Sequence, residues 1–103
     1  MKKYDKLIRD KIPEIISADD KEYEVEVMNE GKYKKYLDKK LKEEVDEYLE
    51  SGEVEELADI MEVIYAIIEV KGVSVEEVEK IRKDKADKRG GFEKRLRLLE
   101  VKD

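Results

Sequence analysis

The segment from Val54 to Val70 sets the strongest constraint on what this chain can fold into. Leu57, Ile60, Met61, Val63, Ile64, Tyr65, Ile67 and Ile68 recur at intervals that wrap apolar side chains around most of a helix, and Gly72 closes the run. A surface helix keeps a polar side, whereas a helix apolar nearly all round needs cover on several sides. Its expected place is the middle of a helical bundle or a subunit interface. In a chain of 103 residues, which buries a limited fraction of its surface alone, a partner subunit is a natural source of that cover.

The neighbouring segments are read in the same way. From about Gly31 to Ser51 the chain is rich in Lys, Glu and Leu, with Tyr33, Leu37, Leu41, Val45, Tyr48 and Leu49 along one broad side, and it stops at Gly52. That predicts a long amphipathic helix. Ser74 stands three residues before Glu77, the spacing of a capping box, and predicts a further helix from Val75 to about Lys88. Near the start, Leu7, Ile8, Ile12, Ile15 and Ile16 predict a short helix that Pro13 begins or kinks. From Tyr23 to Met28, apolar and charged residues alternate as in a half-buried strand, and Leu96, Leu98, Leu99 and Val101 give a rougher alternation. These two segments are expected to pair. The fold class expected is mostly α, a helical bundle forming one domain over residues 1–103, with a small two-stranded sheet from the flanking segments.

Composition removes much of the usual catalytic repertoire. The chain has no cysteine and no histidine, so thiol nucleophiles, zinc-thiolate sites, Ser-His-Asp arrangements and His-ligated di-iron bundles are excluded. Half of the residues are charged and amides are nearly absent, with Asn29 alone, a balance that resembles heat-adapted proteins. The net charge of -6 argues against a general grip on a nucleic acid polymer. No segment has the apolar length of a membrane span, and the basic N-terminal stretch lacks the apolar core of a signal peptide, so a cytoplasmic protein without membrane partners is expected.

What remains for chemistry is carboxylate. Glu43, Glu44 and Glu47 lie on the helix before Gly52, and Glu55, Glu56 and Asp59 on the helix after it, an antiparallel hairpin in the making. At about 1.5 Å of rise per residue, Glu47 and Glu56 lie about 7 and 6 Å from the turn, and Glu44 and Asp59 about 12 and 10 Å. Glu47 therefore faces the level of Glu56, and Glu44 that of Asp59. Carboxylates about 5 Å apart repel by roughly 3 kcal/mol at an effective dielectric near 20, and a hard dication reverses that sign. Mg2+, with Mn2+ as the alternative, takes oxygen ligands and shares them with substrate phosphates, which points to phosphoanhydride hydrolysis. On a chain with 29 acidic residues such pairs also arise on solvated faces. Asp59 and Glu62, however, interrupt an otherwise apolar segment, where solubility does not explain them.

At these residues the chain resembles the MazG-type, all-α nucleoside triphosphate pyrophosphohydrolase superfamily, whose signature is E-x-x-E followed by E-x-x-D. Here it reads KLKEEVDEY from Lys40 and EELADIMEV from Glu55, and the flanking strings YDKLIRDKIPEII from Tyr4 and KRGGFEKR from Lys88 resemble small members described as phosphoribosyl-ATP pyrophosphohydrolase-like. The resemblance implies metal ligation by Glu44, Glu47, Glu56 and Asp59, with Glu43 or Glu62 as auxiliary ligand or catalytic base. It implies a nucleotide substrate, the monophosphate and pyrophosphate as products, a house-cleaning role, and a homodimer or tetramer. The spacer from Tyr48 to Glu55 is shorter than in many relatives and leaves less room for a base-recognition loop. A triphosphate also needs cations from the protein, and Arg9, Lys88 and Arg89 are the candidates. The rival reading is a catalytically silent helical dimer that binds a nucleotide or a protein through the same groove.

Overall fold

The computed structural model describes residues 2–102. Among them are four helices and no strand: α1 (Ile12–Ala18), α2 (Glu30–Ser51), α3 (Val54–Val70) and α4 (Val75–Arg89). The fold is mostly α. The chain divides into two compact units, Met1–Gly72 and Val73–Asp103.

In the first unit, local chemistry sets the helix ends. Pro13 sits in the first turn of α1, where its missing N–H costs nothing, so the proline opens the helix and the residues before Ile12 stay outside it. Asn29 caps α2, its side-chain oxygen accepting from the Lys32 amide at 2.9 Å. Gly52 closes α2 in the left-handed region at φ 68°, its amide donating to the Tyr48 carbonyl at 2.7 Å. Only Gly52 and Glu53 separate α2 from α3, and the two helices pack against each other as a hairpin.

The apolar contacts gather at the end of the hairpin away from this turn. Leu37, Val63 and Ile68 are its buried apolar side chains, and Leu37 shares a cavity of about 200 Å³ with Ile67 and Val70. Helix α2 covers one side of α3 only. Leu57, Met61, Ile64 and Tyr65 remain between 38 and 51 % exposed, a stripe at helical spacing along the face that α2 does not reach.

The N-terminal segment crosses the hairpin and is tied to both helices. Tyr36 Oη donates to Asp5 Oδ1, Lys6 Nζ lies 3.7 Å from Glu43, and Arg9 bonds to Asp59. The hydrogen bond to Asp5, then burial, holds the Tyr36 phenol above its ordinary pKa.

Residues Tyr23–Met28 do not form the expected strand. Alternation buries one face only when a neighbouring strand supplies the ladder, and a lone extended segment has no such partner. Tyr23, Val25 and Val27 are all exposed, Val27 completely, while Glu26 accepts from Lys32 Nζ in the first turn of α2. The other expected strand fails in the same way: Leu96, Leu98, Leu99 and Val101 of the second unit lie outside any helix or strand and are exposed.

In that second unit α4 begins at the predicted cap. Ser74 Oγ accepts from the Glu77 amide at 3.1 Å, and the helix ends at Arg89, one residue beyond the expected limit, with Gly90 as its cap. Among the described residues, no helix is long and apolar enough to cross a membrane.

Because the hairpin core is small, Leu37→Ala should lower unfolding free energy by about 2–5 kcal/mol in urea titrations, the range for emptying a buried leucine site. Val27→Ala, at a fully exposed side chain, should leave the midpoint unchanged.

Candidate metal centre

Glu44 is the one buried charged side chain among the described residues, at 7 % exposure. Its place on α2 explains this. Tyr33, Leu37, Leu41 and Tyr48 mark the covered stripe of the helix, and Glu44 lies seven residues after Leu37, two turns along the same stripe. Sequence reading placed Glu44 among several acids of equal standing. Its interruption of the apolar stripe was the signal that distinguished it.

Around Glu44 the hairpin assembles two overlapping sets of carboxylates. Glu44, Glu56 and Asp59 bring one oxygen each within 4.8 Å of one another across the two helices, and Glu43, Glu44 and Glu47 do so along α2. All four expected ligands, Glu44, Glu47, Glu56 and Asp59, thus belong to one set or the other, and Glu43 joins them. Glu62 belongs to neither and is exposed on α3.

Three cations touch this cluster. Lys40 Nζ, largely buried, lies 3.3 Å from Glu44 and 3.4 Å from Glu43; Lys6 reaches Glu43, and Arg9 Nη2 donates to Asp59 Oδ1 at 2.8 Å. Sequence reading selected Arg9 but assigned no role to Lys40 or a specific one to Lys6. The i,i+4 spacing of Lys40 and Glu44 was visible, yet such pairs are common in a chain so rich in charge. Lys88 and Arg89 form the last turn of α4 in the second unit, where basic side chains complement the carbonyl end of the helix.

The arrangement is undercompensated. Five carboxylates face three cations, and among the described residues Glu47 and Glu56 have no ion-pair partner, leaving an excess of about two negative charges. Glu44 Oε2 is buried without any hydrogen-bond partner. A buried acceptor in that state costs free energy unless something positive meets it. Burial holds the Glu44 carboxyl above the usual carboxylate range; Lys40 pulls it back by hydrogen bond and charge, and the Glu47 charge adds to the rise. An all-oxygen donor set with excess negative charge fits a hard divalent cation such as Mg2+ and offers nothing to a soft one.

Concave surfaces elsewhere have a different character. One, about 800 Å³ and open, follows the first half of α2 and is lined by Gly31, Lys32, Lys35, Tyr36, Asp38 and Lys39. Three lysines make it mostly basic, and it is open to solvent. No family model, curated protein or solved structure matches the chain.

The raised Glu44 pKa has a definite consequence for stability in EDTA. Between the ordinary value near 4.5 and the raised native value, the folded state holds a proton that the unfolded state has released, so stability falls as pH rises through this window. Above it, ionised Glu44 remains a burden. Glu44→Gln should therefore melt higher than the parent at pH 7, and the gap should shrink as pH falls towards the ordinary carboxylate range. A variant that melts lower at pH 7 in EDTA would contradict the assignment.

Proposed function

We propose that this chain is a divalent-cation-dependent nucleotide pyrophosphohydrolase, splitting a nucleoside triphosphate or related nucleotide into the monophosphate and pyrophosphate in a house-cleaning role. The observation that carries the proposal is the buried, unpartnered Glu44 oxygen inside a carboxylate cluster with excess negative charge. The resemblance of the two acid motifs to MazG-type enzymes agrees with it.

In this reading Glu44, Glu56, Asp59 and Glu47 hold Mg2+. A cation bound by them supplies a polarised phosphoryl oxygen and a water of lowered pKa. The remaining work belongs to the side chains of the hairpin and the N-terminal segment. Glu43, which shares a carboxylate set with Glu44 and Glu47, is the better candidate than the outlying Glu62 for accepting the proton of the attacking water. Lys40 neutralises Glu43 and Glu44 in part and fixes their side chains against α2. Arg9 offers a planar fork of donors to phosphate oxygens; Lys88 and Arg89 belong to the second unit and are given no part in this site.

The exposed apolar stripe of α3 supports a homodimer or a tetramer of this chain, since Leu57, Met61, Ile64 and Tyr65 make a continuous face that a second copy could cover. The expected setting is the cytoplasm.

A pyrophosphate-release assay over canonical nucleotides, modified nucleotides and phosphoribosyl-ATP tests the proposal. At least one should be hydrolysed with Mg2+ and not with EDTA. Asp59→Asn should reduce that turnover by roughly a hundredfold or more, since removing even a supporting partner of a metal ligand commonly costs 10- to 100-fold, with helicity by circular dichroism unchanged. Tight Mg2+-dependent nucleotide binding without any release across the panel would instead identify a silent binding module.

A further inference from the structure

The N-terminal segment delivers a guanidinium to a carboxylate that the proposed metal site also requires. Arg9 Nη2 donates to Asp59 Oδ1 at 2.8 Å, and Asp59 completes the set with Glu44 and Glu56. The guanidinium approaches from the solvent side, for the Arg9 side chain is 56 % exposed and that of Asp59 39 %. It does not reach every carboxylate oxygen there: Glu44, a member of the same set, has a buried Oε2 with no hydrogen-bond partner.

We propose that Arg9 and the divalent cation are alternative partners of Asp59, so that metal loading displaces the guanidinium and leaves it free for the phosphates of a nucleotide, with the cation binding first. The inference rests on the metal-site reading above. An exposed ion pair is weak and yields readily, whereas a dication held by several carboxylates carries twice the charge and repels a guanidinium at the same oxygen. The segment is built for such a release. Asp5 is bonded to Tyr36, and Lys6 pairs with Glu43, so the chain stays anchored on α2 when Arg9 lets go of α3.

The opposing arrangement is an orienting partner, in which Arg9 holds Asp59 in its ligating position by a hydrogen bond to the carboxylate. The two differ in sign. If Arg9 competes with the metal, removing it strengthens metal binding; if Arg9 orients Asp59, removing it weakens metal binding.

The test is calorimetric titration of Mg2+ into the full chain, its Arg9→Gln variant and a Lys3→Gln variant, which removes the same charge from the same segment at a side chain with no ion pair to the cluster. The Arg9 guanidinium N–H signal is followed by NMR during the titration of the parent. Arg9→Gln should bind Mg2+ about two- to fivefold tighter, the scale of an exposed ion pair. Lys3→Gln should match the parent, and the Arg9 signal should move to the position of free arginine with the midpoint of the heat. Equal or weaker binding by Arg9→Gln overturns the exchange, as does an equal gain in Lys3→Gln or an unmoved Arg9 signal at saturating Mg2+. If neither the parent nor Arg9→Gln binds Mg2+, the metal-site reading fails and the exchange with it; binding with Arg9 still on Asp59 sinks the exchange alone.

Discussion

A carboxylate taken out of water must meet a proton, a hydrogen-bond donor or a positive charge, and Glu44 meets too little of any of them. Its one close cation, Lys40, is shared with Glu43, and its second oxygen has nothing at all. The hairpin tolerates this because its halves are divided by chemistry. Leu37, Val63 and Ile68 clamp the helices far from the turn, while the stretch nearer Gly52 is given over to Glu44, Glu47, Glu56 and Asp59. Apolar burial at one end thus offsets electrostatic cost at the other. A cluster whose acids were all solvated would involve no such cost.

The features readable from the sequence were those decided within a few residues. The left-handed glycine after α2 and the serine oxygen at the start of α4 follow from short-range geometry, and so do the limits of α3 between its two glycines. Counting helical rise was enough to put Glu44 at the level of Asp59, since a two-residue link leaves the paired helices little freedom to slide. The features that escaped depend on distant partners. An alternating segment becomes a strand only if a ladder exists to receive it, and Tyr23–Met28 has none. The bond from Arg9 to Asp59 spans fifty positions of sequence and hangs on the path of a non-helical segment. Lys40 lay in plain view, but in a chain half composed of charges, spacing alone does not separate a buried counter-ion from a solvated one.

The link of Gly52 and Glu53 carries one more consequence. Connections between helices usually absorb insertions at little cost, because closing a somewhat longer loop is entropically cheap. This one has no slack. One added residue that extended either helix would rotate everything beyond it by about 100° and swing its acids away from the opposite helix. The connection therefore behaves as a reading frame for the carboxylates: evolution can lengthen this chain at its ends, or in the stretch between α1 and α2, with far less disturbance to the cluster than at the turn itself.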